Sequence, residues 1–302
     1  MSLLVFGHKS PDTDSICSSL AMTNLKKSLG VDAVACCLGE LRKEAEFVLN
    51  YFGVEAPKRI DSVKEGDECC LVDHNEYGQS VDGLENATIV EIVDHHKLGG
   101  MSTSTPLSVT LKPWGCTNTI LYFMYKENNV EIPKSIAGLM LSAILSDTLI
   151  FRSPTTTDFD VEAGKALAEI AGVDYEKYGM EMFKAGTSLD GYTVEEIVNM
   201  DFKAFDMGGK KVGIGQVMTL DIDAVMEKKD EFLNYINGTD FDMLYLAVTD
   251  IIKEGSYLIY KSPDEVVAKA FNVEPGQGVF VEGLVSRKKQ LVPNLTPEVE
   301  KL

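Results

Sequence analysis

Histidine is scarce in this chain: 302 residues carry four, His8, His74, His95 and His96. None lies beyond residue 96, so chemistry that needs imidazole is confined to the first third of the sequence. Positive charge is also in short supply, 28 Lys and Arg against 47 Asp and Glu, a formal net charge of -19. Such a field repels nucleic acid and anionic membranes. An anionic small molecule would need a local cluster of cations to reverse its sign. Long apolar runs are missing as well. Those around Leu3 to Phe6 and Ile136 to Ile150 are ended or interrupted by Gly, Ser or Asp, short of the roughly 18 residues of a membrane span. The opening residues lack the basic start and apolar stretch of a secretory signal. No C-x-x-C occurs among the six cysteines, which disfavours a thiolate zinc site. Cys36-Cys37 and Cys69-Cys70 fall inside apolar, strand-like runs. Neighbours on a strand point to opposite faces and are poorly placed to pair. The expectation is a soluble, cytoplasmic protein with buried free thiols and no nucleic-acid or membrane partner.

What is present reads as two α/β domains, since 302 residues exceed what one core usually spans. Short apolar runs at Leu3 to Gly7, Val31 to Cys37, Cys69 to Val72 and Thr88 to Val93 alternate with helical spacing at Ser15 to Leu29 and Arg42 to Phe52. That rhythm predicts a parallel sheet covered by helices. Helices are then expected at Thr117 to Lys126, Lys134 to Phe151, Asp158 to Ile170 and Tyr175 to Ala185. Gly186 to Gly191 is small, polar and flanked by glycines, as a linker would be. Beyond it, strand-like runs at Lys211 to Val217, Met243 to Thr249 and Ser256 to Ile259 alternate with helical stretches at Asp221 to Tyr235 and Pro263 to Phe271. The expected division is 1–186, a hinge at 187–192, and a smaller domain with a mixed sheet at 193–302.

Each histidine lies beside aspartates and just past an apolar strand-like run. The clusters are His8-Lys9-Ser10-Pro11-Asp12-Thr13-Asp14-Ser15, Asp73-His74-Asn75 and Asp94-His95-His96, with Ser146-Asp147-Thr148 near the end of the most apolar helix. In a parallel sheet the C-terminal strand ends share the edge where ligands bind. Taken singly, each cluster also reads as a helix cap, a solvated turn or a satisfied loop histidine. Taken together, four aspartates and two or three imidazoles are too many for one tetrahedral zinc. They suit two adjacent six-coordinate ions, which at roughly 3.5–4 Å apart can activate a shared water for in-line attack on phosphorus. Cations come from elsewhere, from Lys203 between two aromatic residues and from Ser286-Arg287-Lys288-Lys289-Gln290, the one run of three basic residues. Arginine grips phosphate bidentately and lysine acts as a point charge.

On these residues the sequence resembles the family II inorganic pyrophosphatases of the DHH phosphoesterase superfamily. The H-x-x-x-D-x-D opening, V-D-H-N, D-H-H, S-D-T and S-R-K-K-Q occur in the family's order and span nearly the whole chain. D-H-H alone marks the superfamily, and the opening combined with S-R-K-K-Q is far more specific. The resemblance implies a DHH-type N-terminal domain, a DHHA2-type second domain and an active site in the cleft between them. It implies His8, Asp12 and Asp73 on one metal and Asp14, Asp73, His95 and Asp147 on the other, with Asp73 bridging. His96, Lys203, Arg287 and Lys288 would contact pyrophosphate, Asp94 would support the metal shell, and His74 has no assigned role. Two Mn²⁺ or Co²⁺ per subunit, Mg²⁺ accompanying the substrate, and a homodimer joined through the N-terminal domain are likewise implied. The alternative activities are an exopolyphosphatase or an oligonucleotide phosphodiesterase. The phosphodiesterase relatives typically carry a glycine-rich, histidine-containing motif in the second domain, and here no histidine follows His96.

Overall fold

A computed structural model describes residues 2–302 and divides into two compact units, 1–186 and 187–302. In the first, β1 (Leu3–Phe6), β2 (Ala33–Cys37), β3 (Lys58–Arg59), β4 (Glu68–Val72), β5 (Thr88–Asp94) and β6 (Ser108–Leu111) form one sheet in the order β3-β2-β1-β4-β5-β6. Every pairing is parallel. The strand order runs outward in both directions from the β1/β4 pair. Right-handed crossovers that progress in opposite directions must lie on opposite faces of the sheet, and the packing shows this. The crossovers α1 (Thr13–Ser28) and α2 (Lys43–Phe52) pack on one face, with Ile16, Met22 and Val48 against Val5, Cys70 and Val72. The connections after β4 and β5 cover the other face, where Val81, Leu84, Met101 and Leu107 meet Phe6, Leu71 and Ile92. The expectation of helices on the sheet therefore holds for one face, and turns and loops close the other.

The later helices, α3 (Thr117–Glu127), α4 (Lys134–Thr148), α5 (Asp158–Ala171) and α6 (Tyr175–Gly186), thicken the helical face. Of α4, every residue from Ile136 to Leu145 is buried, so its apolar character all round reflects a core position. It stops three residues short of the expected Phe151. Leu149, Ile150 and Phe151 are all left-handed, with φ of 50°, 54° and 62°. Two glycines accommodate that turn: a Cβ at Gly164 would stand 2.5 Å from the Phe151 ring, and one at Gly179 would stand 2.9 Å from Ile150. All six cysteines are buried and free, and the adjacent pairs split between the two faces as the strand geometry requires.

The second unit holds α7 (Val194–Asn199), β7 (Phe202–Met207), β8 (Lys210–Thr219), α8 (Ile222–Met226), α9 (Lys229–Asn237), β9 (Met243–Asp250), β10 (Gly255–Lys261), α10 (Asp264–Phe271), β11 (Val279–Glu282) and α11 (Val292–Val299). The stretch expected as one helix from Asp221 to Tyr235 is thus two. The sheet order is β11-β10-β9-β8-β7. Its β8/β9 pair is parallel and the other three pairs are antiparallel, so the sheet is mixed. Each face has its own apolar cluster, and β9 is buried along its whole length.

Candidate metal centre

The β1/β4 pair is where the strand order reverses, the position at which parallel sheets bind ligands beyond their C-terminal ends. His8 follows β1 there, Asp73 follows β4, and Asp94 ends β5 with His95 next. Asp73 is 1% exposed and left-handed, with φ 61°. Its N–H still donates to the Val93 carbonyl at 3.0 Å, so the β4–β5 ladder holds the turn in place. Asp12 is the N-cap of α1: its Oδ1 accepts from the Ser15 N–H at 3.0 Å. Asp12, and not Asp14 or Ser15, is therefore the helix cap, and its other oxygen, Oδ2, lies 3.3 Å from His8 Nε2.

Backbone carbonyls fix two of the imidazoles. His8 Nδ1 lies 2.8 Å from the Lys9 carbonyl and His95 Nδ1 lies 3.1 Å from the Trp114 carbonyl. A carbonyl can only accept, so each Nδ1 carries a proton and each Nε2 turns to the carboxylates. His8 Nε2 stands 3.4 Å from Asp73 Oδ2, and His95 Nε2 stands 3.4 Å from Asp73 Oδ1 and 3.9 Å from Asp14 Oδ2. Asp73 thus has one imidazole at each oxygen. His96 Nδ1 rests on Asp94 at 2.9 Å and lies 3.7 Å from Asp73. Asp147 reaches the group from the end of α4. Its Oδ2 is closed off from solvent without a hydrogen-bond partner, and it lies with Asp14 and the Cys116 thiol so that their ligand atoms are within 4.8 Å of one another.

The charges show what these side chains lack. Burial works against a charged His8, yet hydrogen bonds with Asp12 and Asp73 outweigh it and push its pKa up to about 11. His95 is buried too, and Asp73 and Asp14 carry it up to about 9. Burial, together with the charge of Asp73, raises Asp14 to about 7. Burial and then the charges of Asp14 and Asp73 hold Asp147 well above the carboxylate range. Burial also opposes the charge on Asp73, but His8 and His95 overcome it and keep its pKa below the usual range. Without a cation, the protein must protonate groups whose lone pairs converge. The donor set of carboxylate oxygen and imidazole nitrogen, the unpartnered Asp147 oxygen and the fixed Nε2 orientations all fit divalent first-row ions. Three overlapping groups could each hold one: His8, Asp12 and Asp73; Asp73, His95 and His96; Asp14, Cys116 and Asp147. The implied set had no place for Cys116, and it had His96 on the substrate. A cavity of about 620 Å³ opens over the centre, lined by Asp12, Asp73, His95, His96, Asp147 and the Pro154–Thr157 loop among others.

A supporting layer surrounds these groups: Thr117 and Asn118 lie outside every motif, and Ser15 and Asn75 lie inside two of them without an assigned site role. Ser15 Oγ donates to Asp73 Oδ2 at 2.7 Å and accepts from the His8 N–H. Thr117 Oγ1 donates to Asp73 Oδ1 at 3.2 Å. The first turn of α3 points its N–H groups at Asp14: Thr117 N donates at 2.8 Å, and Asn118 adds its side-chain amide at 2.7 Å. Asn75 donates to Asp94. His74 stands apart. Its two nitrogens contact the Val72 carbonyl and Ser80 Oγ at 2.9 Å each, and burial lowers its pKa, so it is a satisfied core histidine.

The expected cations lie in the second unit. Lys203 sits exposed on edge strand β7. Arg287 and Lys288 begin a π-helical turn, Arg287–Leu291, capped by Ser286 Oγ accepting from the Lys289 N–H at 3.2 Å.

Family models match two regions: the DHH family N-terminal domain over residues 2–144 and the DHHA2 domain over 180–297. A Clostridium acetobutylicum protein described as a probable manganese-dependent inorganic pyrophosphatase is 50% identical over 304 aligned residues, covering 99% of this chain and 98% of its own. An Exiguobacterium protein of the same description is 48% identical, covering 99% of both chains. Among solved structures, a Methanococcus jannaschii protein assigned to the family II inorganic pyrophosphatases is 44% identical, with TM-score 0.63, covering 98% of this chain and 99% of its own. An exopolyphosphatase-related protein from Bacteroides fragilis, 14% identical with TM-score 0.51, shares the fold. With matching domains in order and near half-identity end to end, the chain belongs to the family II, manganese-dependent inorganic pyrophosphatases of the DHH superfamily.

Proposed function

We propose that the chain hydrolyses inorganic pyrophosphate to two phosphates, with Mn²⁺ or Co²⁺ at the buried centre and Mg²⁺ entering with the substrate. The observation that carries this is Asp73, a buried carboxylate with one tautomer-fixed imidazole at each oxygen. His8 and Asp12 would complete one cation site with it, and Asp14, His95 and Asp147 the other. When bound, such a pair supplies Lewis-acid neutralisation of phosphoryl oxygens and a water acidified toward neutral pH. The chain's own groups do the rest. Ser15 and Thr117 hold Asp73 by donating to its two oxygens. Asp94 Oδ1 accepts from His96 Nδ1 and raises the pKa of the ring, and in the protonated imidazole Nε2 would donate to a substrate oxygen. Lys203, Arg287 and Lys288 would bind the phosphates and offset charge spreading over the transferred group. Residues 187–192 would act as the hinge of the second domain, and the active form would be a cytoplasmic homodimer joined through the first.

The test is phosphate release by metal-stripped protein resupplied singly with manganese, cobalt, magnesium or zinc. Pyrophosphate, tripolyphosphate and a dinucleotide serve as substrates. Restoration by manganese or cobalt with strong preference for pyrophosphate is the expected result. Preference for tripolyphosphate would transfer the assignment to an exopolyphosphatase, and turnover of the dinucleotide to a phosphodiesterase.

A further inference from the structure

Arg287 is held in two separate ways. Its backbone is fixed by Gln216, a residue 6% exposed in the middle of β8. Gln216 Oε1 accepts from the Arg287 N–H at 3.0 Å, and its Nε2 donates to Thr249 Oγ1 at 2.9 Å and to the Val285 carbonyl at 3.0 Å. Gln290 adds a second clamp: its Oε1 accepts from the N–H groups of Val285 and Ser286 at 2.9 Å each, and its Nε2 donates to the Gly283 carbonyl at 2.7 Å. The loop is thus placed without the Arg287 side chain.

The guanidinium makes its own contacts, both to Asp201. One Nη donates to the Asp201 backbone carbonyl, and the other meets the Asp201 carboxylate at 2.7 Å. The Asp201 backbone is anchored independently, since its carbonyl also accepts from the Gln216 N–H at 3.0 Å. The Asp201 carboxylate itself has one partner among the described contacts, Arg287. Neither the loop nor β7 depends on that carboxylate for its position.

A planar guanidinium recognises carboxylate and phosphate through the same parallel N–H donors. An aspartate on Arg287 therefore occupies the donors that a phosphate oxygen would use. We propose that Asp201 is an internal anion that competes with phosphate for Arg287, weakening ground-state capture and hastening release of product. This rests on the reading of Arg287 as a phosphate ligand. The Asp201 side chain is 59% exposed and the Arg287 side chain 11%, so the pair is partly screened by water from the aspartate side. Exposed ion pairs contribute little, and removing this competitor should change phosphate affinity on the order of threefold.

The test uses the full-length, manganese-loaded protein with inorganic phosphate as the probe. Phosphate binding is read by calorimetry, and KM for pyrophosphate and product inhibition are read in the same preparations. Asp201→Asn keeps the side-chain size and removes the charge, and Asp201→Ala removes the contact. Both should bind phosphate about threefold more tightly, with a lower KM and stronger product inhibition. Loss of a positioning residue would move these quantities the other way. Arg287→Ala should bind phosphate more weakly, and adding Asp201→Asn to it should change nothing further. If the Asp201 variants bind phosphate as weakly as the wild type, or more weakly, while Arg287→Ala is impaired, the competitor role is wrong and the ligand role stands. If Arg287→Ala binds phosphate as the wild type does, the ligand role fails and the competitor role with it.

Discussion

Asp147→Asn separates the centre's need for a cation from its contribution to the fold. In the metal-free protein the Asp147 carboxylate shares a partly dry space with Asp14, their nearest ligand atoms within 4.8 Å, and one of its oxygens has no hydrogen-bond partner. Two unit charges at that separation or closer repel by at least about 3.5 kcal/mol at an effective dielectric constant near 20. The protein relieves part of this by taking up a proton, consistent with the raised pKa of both groups. An amide has nearly the same shape, carries no charge and can donate to Asp14. The substitution should therefore stabilise the stripped protein by roughly 1–3 kcal/mol, about 2–12 °C in the melting temperature of a domain this size.

With manganese the sign reverses. With Asp147 as a proposed anionic ligand, its removal should cost at least about 100-fold in affinity, or about 2.7 kcal/mol. Stabilisation by a bound ion follows its affinity by mass action. Thermal melting of both proteins, stripped with chelator and then titrated with manganese, reads both effects. The variant should melt above the wild type without metal and below it with metal. A variant that melts below the wild type when stripped would refute the picture of an uncompensated anionic cradle. Unchanged manganese affinity would remove Asp147 from the ligand set.

Three further outcomes are expected. His95→Ala should lower manganese affinity, while Arg287→Ala should raise KM and lower kcat with metal affinity intact; calorimetry and steady-state kinetics check this, and equal metal loss in both would contradict the division of roles. Manganese should stabilise the protein more as pH rises from 6 to 8.5. His8 and His95, pushed up to about 11 and about 9, and Asp14, at about 7, hold protons in the metal-free state that ligation must expel; protons therefore favour the metal-free form, and a melting-temperature gain that is flat or falls with pH would overturn the linkage. Gly164→Ala places a methyl 2.5 Å from the Phe151 ring, so overpacking should cost about 1–3 kcal/mol; because Phe151 closes the turn after Asp147, manganese affinity should fall too, and melting with and without metal measures both.

How much of this was legible in the sequence depended on whether the signal was local. The strands that end beside His8, Asp73 and Asp94 are short apolar runs, and the helices α1 and α2 between the first of them and β4 point to a parallel sheet. Their adjacency was an inference from topology that the β1-β4-β5 order supports. The groups that hold the candidate ligands were hidden because each is ordinary in its own neighbourhood. Thr117 and Asn118 look like the polar start of a helix, yet they lie over 100 residues from the Asp14 they support. Ser15 looks like a capping residue, yet its hydroxyl bridges His8 and Asp73. Cys116 belongs to a set of six buried thiols, and nothing in its own neighbourhood shows that it faces two carboxylates. The end of α4 was misplaced because hydrophobicity continues through Ile150 and Phe151 while the backbone turns left-handed at Leu149.

That turn, with Ser10 and Asp73, explains why the sheet edge can bring so many candidate ligands together. Left-handed conformations cost L-residues energy and persist where the surroundings over-determine them. Of the eight described non-glycine residues with positive φ, five are Ser10, Asp73, Leu149, Ile150 and Phe151. Each stands at a candidate ligand or within four residues of one. An extended strand end continued without such a residue would carry its next side chains alternately above and below the sheet. A left-handed residue breaks the alternation and lets the chain double back within one step. Asp73 does this while its own N–H stays in the ladder, so its carboxylate is aimed by the β4–β5 pairing. After Asp147, three consecutive residues do the same, with Gly164 and Gly179 yielding the space their side chains need. The strain therefore sits next to the charges, where a bound cation would stabilise the conformation that the backbone alone disfavours.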